Sequence, residues 1–333
     1  MAWNMKEVTT YFDVFRQSNV DLNEQNTKDV LKRQNITRFK YWKDVPVEDL
    51  GKALKDLANG EDCKLSADQL NNIIQALTHH SLQGKIDADM WNSCVKYWAR
   101  KDISEKSALI AVDVQNDFIS GSLALKNQPA KEDGAEIVPV INKLKQDVKF
   151  DLIVFTLDWH PSDHCSYHTN VKMYPFHETC KIKADHAKMY DFVIYGGDKP
   201  QEQILWPVHC EQGSWGAKLH EDLQIEDSAL MVHKGSIPAI DSYSAFWDNG
   251  KLSQTNLFTT LLQHNITKVF ICGLATDFCV AFSAVDAANH GLTTFLIEDA
   301  CRGVSEESIK NARANMKDAG VTIINTNQVL ELL

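Results

Sequence analysis

Cys279 stands where an apolar run meets a helix, a junction at which a thiol can become a nucleophile. Within residues 268–288, KVFICGLATDFCVAFSAVDAA, the run Val269, Phe270, Ile271 and Cys272 reads as a short buried strand. Gly273 breaks it, and the small and apolar residues from Cys279 onward read as a packed helix. A cysteine at a helix start meets the positive end of the helix dipole, which favours thiolate and predicts a pKa below about 8.5. The competing reading is a buried thiol that acts as a small hydrophobe, so chemistry here needs partners. Asp113 directly follows the apolar run LIAV; limited hydration there raises a carboxylate pKa and makes it a better proton acceptor, while a nearby cation keeps it ionised. Lys234 follows another apolar run. Alone, each is an ordinary loop aspartate or edge lysine; with Cys279 they make an activated-nucleophile set.

A second constellation has metal-ligand character. Asp158 and His160, spaced D-x-H, fall on the same side of an extended chain end, and His209 in LWPVHC offers a third ligand. Three nitrogen and oxygen ligands with positions left for water describe an open, zinc-like site more than a closed structural one. With twelve histidines in the chain, accidental pairing is the competing account.

These residues need elements to hold them. From residue 107 onward apolar runs alternate with helical segments, the pattern of parallel strands with crossover helices. Strands are expected over 108–112, 152–157, 229–232, 269–272, 293–297 and 321–324, and helices over 137–146, 254–264, 278–289 and 306–318. The fold class predicted is α/β: a doubly wound, mainly parallel six-stranded sheet flanked by helices, preceded by a small all-α domain. In such sheets ligands bind beyond the carboxyl ends of the strands. DVQNDF, DWHP, HKG and GLATDFCV all lie at those ends. No G-x-G-x-x-G loop follows the first strand, which removes the simplest dinucleotide-binding reading.

Residues 1–102 contain almost no strand-like run. Leu70, Ile73, Ile74 and Leu77, then Trp91, Val95 and Trp98, recur at helical spacing. Between them, HHSLQGKIDADM (79–90) resembles a degenerate EF-hand loop. Gly84 and Ile86 occupy its structural positions, but His79, Ser81, Gln83 and Met90 stand where oxygen ligands belong. No Ca2+ is expected there, and the division predicted is a helical, EF-hand-like domain over 1–102 and a catalytic domain over 103–333.

Composition narrows the partners. A formal net charge of −11 argues against nucleic acid, whose binding runs on clustered lysine and arginine. No run approaches the roughly 18 apolar residues of a spanning helix, so no membrane is expected. Eight cysteines without a C-x-x-C pair fit a reducing, cytoplasmic setting.

Taken in order, DVQNDFISGSL, DWHPSDH, LWPVHC, HKG followed by DSYSAF, and GLATDFCV resemble the nicotinamidases of the isochorismatase-like cysteine hydrolase superfamily. The resemblance runs from about residue 107 to the C-terminus, and animal members also carry an EF-hand-like front end. It implies Cys279 as nucleophile, Asp113 as base and Lys234 as the cation holding the pair. It implies an oxyanion hole from the backbone N–H groups of Ala275 and Cys279, with a cis peptide near Leu274 and Ala275. It further implies metal ligands Asp158, His160 and His209, with Zn2+ expected and Fe2+ or Mn2+ as alternatives, and an aromatic surround from Phe118, Trp206 and Tyr243. His164 matches a ligand of some members only. The activity implied is hydrolysis of nicotinamide to nicotinate and ammonia through a thioester, in NAD salvage. The alternatives are another amidase of the superfamily acting on a carbamoyl or ureido substrate, or an interaction protein recruited through its helical domain. The stretch 171–203 is longer than in compact members, as a lid or subunit contact would be, and self-association into a homo-oligomer stays open.

Overall fold

The computed structural model describes residues 106–197 and 200–333; the EF-hand-like reading of residues 1–102 lies outside them. Among the described residues the strands are β1 (Lys106–Val112), β2 (Leu152–Asp158), β3 (Phe192–Tyr195), β4 (Gln201–Ile204), β5 (Leu230–Lys234), β6 (Ile266–Leu274), β7 (Thr293–Arg302) and β8 (Thr322–Ile324). Six of them form one sheet in the order β5-β2-β1-β6-β7-β8, and β3 and β4 make a separate antiparallel pair. The pairings β1 with β2, β2 with β5, β6 with β7 and β7 with β8 are all parallel. The expected doubly wound sheet is therefore present.

Parallel strands covered on both faces must be apolar on both, and β1 obeys this: Ala108 through Val112 have no exposed surface. Helices α1 (Ile137–Asp147), α2 (Leu257–Gln263), α3 (Ala281–Asn289) and α4 (Glu306–Asp318) accompany the sheet. Helix α1 buries Ile137, Val138, Ile141 and Leu144, one face of a 3.6-residue period. Helix α4 starts at Ser305, whose side chain accepts from the Ser308 N–H, with Glu306 and Glu307 in its first turn and Lys317 in its last.

The chain winds outward from β1 to β2 and β5, then returns to the other side of β1 with β6. The crevice beyond the ends of β1 and β6 is thus the topological switch point, where sheets of this kind bind ligands. Gly273 is required there. It sits at φ +121°, and a Cβ would lie 2.1 Å from the Val112 carbonyl oxygen of β1.

Two expectations need correction. The helix expected over 278–289 becomes regular only at Ala281. Ahead of it, Thr276–Val280 forms a wider turn in which Phe278 departs from helical dihedrals (φ −125°, ψ −105°) and the Val280 N–H reaches back to the Ala275 carbonyl at 3.2 Å. The helix expected over 254–264 is shorter, because Gln254 pairs with Trp247 in an isolated bridge before the chain turns helical. The stretch 171–203 holds β3 and the start of β4 over a small satellite core that includes Cys165, Val193, Tyr195 and Leu205.

Candidate active site

Asp113 leaves β1 at φ +49°, a left-handed conformation that a non-glycine residue adopts only when its surroundings enforce it. They do so here: its N–H donates to the Thr156 carbonyl at 3.1 Å, and the Thr156 hydroxyl donates to Asp113 Oδ1 at 2.6 Å. The carboxylate is wholly buried, which raises its pKa; Lys234 works against that rise and Asp158 adds to it. Lys234 closes β5, in register with Asp158 at the end of β2. Its Nζ lies 2.9 Å from Asp113 Oδ2, donates to the Ser242 carbonyl at 2.9 Å and to Cys279 Sγ at 3.2 Å, and forms a short ion pair with Asp158. Burial disfavours charge on this lysine, but Asp113 and Asp158 outweigh it and hold the ammonium protonated well beyond the ordinary lysine range.

Cys279 lies in the wide turn after β6, and its Sγ falls within 4.8 Å of carboxylate oxygens of both Asp113 and Asp158. The three residues singled out as an activated-nucleophile set therefore meet. The expected depression of the thiol pKa does not hold. Burial pushes the Cys279 thiol well above its ordinary value, and Lys234 only partly offsets this. The cause is desolvation: the residue is 6% exposed, and its turn is not the first turn of a regular helix. Burial thus favours the neutral thiol, which lies close to the buried Asp113 carboxylate. The peptide between Leu274 and Ala275 is cis, as the resemblance implied.

Asp158, His160 and His209 also converge. His160 Nε2 and His209 Nε2 lie 3.4 and 3.8 Å from the same oxygen, Asp158 Oδ2. Each ring is oriented by a backbone carbonyl: His160 Nδ1 lies 2.8 Å from the Gly235 oxygen and His209 Nδ1 2.8 Å from the Pro207 oxygen. A carbonyl can only accept, so both Nδ1 atoms carry the proton, which leaves each Nε2, on the Asp158 side, as the atom that would bind a metal when the ring is neutral. Burial favours the neutral form of His209, reinforced by His160, whereas Asp158 outweighs burial at His160 and draws positive charge to that point. The donor set fits a metal ion. Gly235, at φ +64°, is needed because a Cβ there would lie 2.4 Å from the His160 ring.

His164 stacks on His160 with ring centroids 4.0 Å apart, and burial lowers its pKa to about 3. It groups with His160 and Asp241 rather than with Asp158 and His209. Phe118, Trp206 and Tyr243 line one cleft with Asp158, His160, His209 and Cys279. The cleft measures about 410 Å³ out to its open mouth. The Trp206 indole N–H donates to the Tyr243 hydroxyl at 3.3 Å. Phe278 and Asp241 also line it and were not singled out from sequence. Phe278 packs edge-on against Trp206 and Tyr243, a role that its place beside Cys279 could have suggested.

The Isochorismatase domain family model matches residues 107–328. A nicotinamidase of Acinetobacter baylyi is 38% identical over 226 residues, covering 67% of this chain and 94% of the relative. A nicotinamidase of Saccharomyces cerevisiae is 34% identical, covering 65% of this chain and 98% of its own length. Among solved structures, an Acinetobacter nicotinamidase and pyrazinamidase superposes with a TM-score of 0.58 at 36% identity, over 68% of this chain and all of that one. The yeast nicotinamidase bound to the inhibitor nicotinaldehyde gives a TM-score of 0.56 at 31% identity, over 66% and 99% of the two chains.

Proposed function

The chain belongs to the isochorismatase family, and from that premise we propose how its residues carry out the reaction of its nicotinamidase relatives. The activity is hydrolysis of nicotinamide to nicotinate and ammonia, a step of NAD salvage. One observation carries the assignment of roles: a single buried ammonium, Lys234, touches the carboxylate of Asp113, the thiol of Cys279 and the Asp158 carboxylate of the ligand cluster. It ties proton acceptor, nucleophile and substrate anchor into one unit.

The substrate carboxamide lies over Cys279. Asp113 takes the thiol proton, and the sulfur attacks the amide carbon to give a tetrahedral adduct. The N–H groups of Ala275 and Cys279 bind the adduct's oxyanion; losing one such donor typically costs about 10²- to 10³-fold in rate. Asp113 returns the proton to the leaving nitrogen, ammonia departs and a thioester remains. Water then attacks the thioester with Asp113 again as proton acceptor, nicotinate leaves and the thiol is restored. Lys234 stabilises the carboxylate and the forming thiolate throughout. Phe118, Trp206 and Tyr243 enclose the ring.

Asp158, His160 and His209 would hold a divalent metal, zinc by the chemistry of two imidazoles and a carboxylate, with iron or manganese as alternatives, and it would supply a Lewis-acid anchor for the pyridine nitrogen. The division at residues 102 and 103 belongs to the same reading, since the family match opens at 107. The cytoplasmic setting rests on the cysteine pattern. No described helix is long and apolar enough to cross a membrane.

Ammonia release from nicotinamide by the purified chain tests the reading. The parent should turn over, Cys279→Ala should lose about 10⁴-fold or more in kcat, and metal removal should raise KM. Full turnover by Cys279→Ala would refute the covalent course, and an unchanged KM without metal would refute the anchor.

A further inference from the structure

The turn that carries the base also grips the ligand cluster, through two side chains with no part in the chemistry. Gln115 lies two residues beyond Asp113 and has no exposed surface. Its Oε1 accepts from the Asp158 N–H at 2.8 Å, and its Nε2 donates to the Asp158 carbonyl at 2.8 Å and to the Ala217 carbonyl at 2.9 Å. The partners fix the amide orientation, because two carbonyls face one atom and an N–H the other. The register of β1 with β2 ends at Val112 opposite Thr156, where Asp113 turns away. Past that point the Gln115 amide replaces the missing strand and satisfies both polar groups of Asp158's backbone. On the other side Asp158 is already paired with β5.

Asp117, two residues further, does the same for His209. Its Oδ2 accepts from the Cys210 N–H at 2.6 Å, and its Oδ1 from the Ser122 N–H at 3.0 Å. The carbonyl of the same His209–Cys210 peptide accepts from the Tyr167 hydroxyl at 2.8 Å. That peptide plane is therefore held at both polar ends, next to Cys210 at φ +49°. Gly216 leaves room for the carboxylate, since a Cβ there would lie 1.9 Å from Asp117 Oδ2.

We infer that Gln115 and Asp117 are positioning residues that fix Asp158 and His209 as metal ligands and hold them in register with the base. The inference rests on the metal reading of the cluster. Outer partners that orient metal ligands typically contribute about 10- to 100-fold in metal affinity. Gln115→Glu keeps the shape but sets an oxygen against two carbonyls. Asp117→Asn keeps the shape and removes the charge that the Cys210 N–H meets.

The test compares the full-length parent with both variants by zinc competition against a chromogenic chelator, the visible spectrum after cobalt loading, and the alkylation rate of Cys279 in the metal-free proteins. Zinc affinity should fall about 10- to 100-fold in each variant, with a changed cobalt spectrum, while alkylation stays within about twofold because Lys234 and Asp113 keep their own contacts. Should Gln115→Glu fail to fold, Asp117→Asn decides by the same readouts. Unchanged zinc affinity and cobalt spectrum in the folded variants would overturn the inference and leave the metal reading intact. A parallel loss of affinity and alkylation would overturn it too, by making the effect a general loosening. A parent that binds neither metal would sink the metal reading and this inference with it.

Discussion

Lys234 sets the charge logic of the site at the scale of single residues. Without it, Asp113 and Asp158 would be two buried carboxylates facing a thiol, an arrangement in which burial and like charge both oppose ionisation. With it, both carboxylates face one ammonium that favours their ionised form, as the proposed transfer of the Cys279 proton to Asp113 requires. Burial nonetheless raises the pKa of Asp113, with Lys234 working against the rise. The acceptor form is present above that raised value and lost as pH falls through it. The kcat/KM profile should therefore lose activity on an acid limb set above the ordinary aspartate value of about 3.9. Stopped assays across pH on the metal-loaded chain check this, and an acid limb at or below that value would contradict the buried-base assignment. The types and order of Asp113, Lys234 and Cys279 were legible in the sequence because each lies at or shortly beyond the end of an apolar run. The raised thiol was not, since how far Cys279 is enclosed depends on Phe278 and the neighbouring strands rather than on its own position.

At the scale of elements, fully buried parallel strands produce unbroken apolar runs, and this is why β1, β2, β6 and β7 could be placed from sequence alone. Their ends were less accurate: β7 continues to Arg302, beyond the expected stop at residue 297, because Glu298 and Asp299 interrupt the apolar run before Ala300 and Cys301 are buried again. The latter part of the wide turn, from Phe278 to Val280, reads as helix in sequence, since its residue types do not distinguish one bonding pattern from another. Gln115 and Asp117 were quoted within a motif, but their bonds to Asp158 and Cys210 span 43 and 93 residues, and no local periodicity encodes them. The close approach of β6 to β1 makes a firm prediction. In Gly273→Ala the new methyl meets a backbone carbonyl that cannot swing aside, in a conformation unfavourable to any side chain. Stability should fall by on the order of 3 kcal/mol or more, read as a lower midpoint in urea, and an unchanged midpoint would contradict the strand packing.

For the whole molecule, stability and turnover respond to pH through different groups. His290 packs against Phe246 and Phe258, its Nδ1 lies 2.6 Å from the Asp286 carbonyl and its Nε2 accepts from the Trp247 indole at 3.3 Å. Both ring nitrogens are used by the neutral form, and burial lowers the pKa to about 4. The unfolded chain takes up this proton near 6.5 while the folded chain does not. The contribution is thus complete above about 6.5 and is lost progressively down to about 4, by up to about 3 kcal/mol. The fall in melting temperature from pH 7 to 4.5 should be smaller in His290→Phe than in the parent, and an equal fall would refute the assignment. For turnover, the proposed course is cleavage of nicotinamide through an acyl group on Cys279. Rapid acid quenching of the metal-loaded chain during turnover, followed by mass analysis of its peptides, addresses it directly. A nicotinoyl mass is expected on the peptide containing Cys279, formed within the first turnover and absent in Cys279→Ala. Full turnover with no acylated peptide at any time, or with acyl mass on another residue, would contradict it.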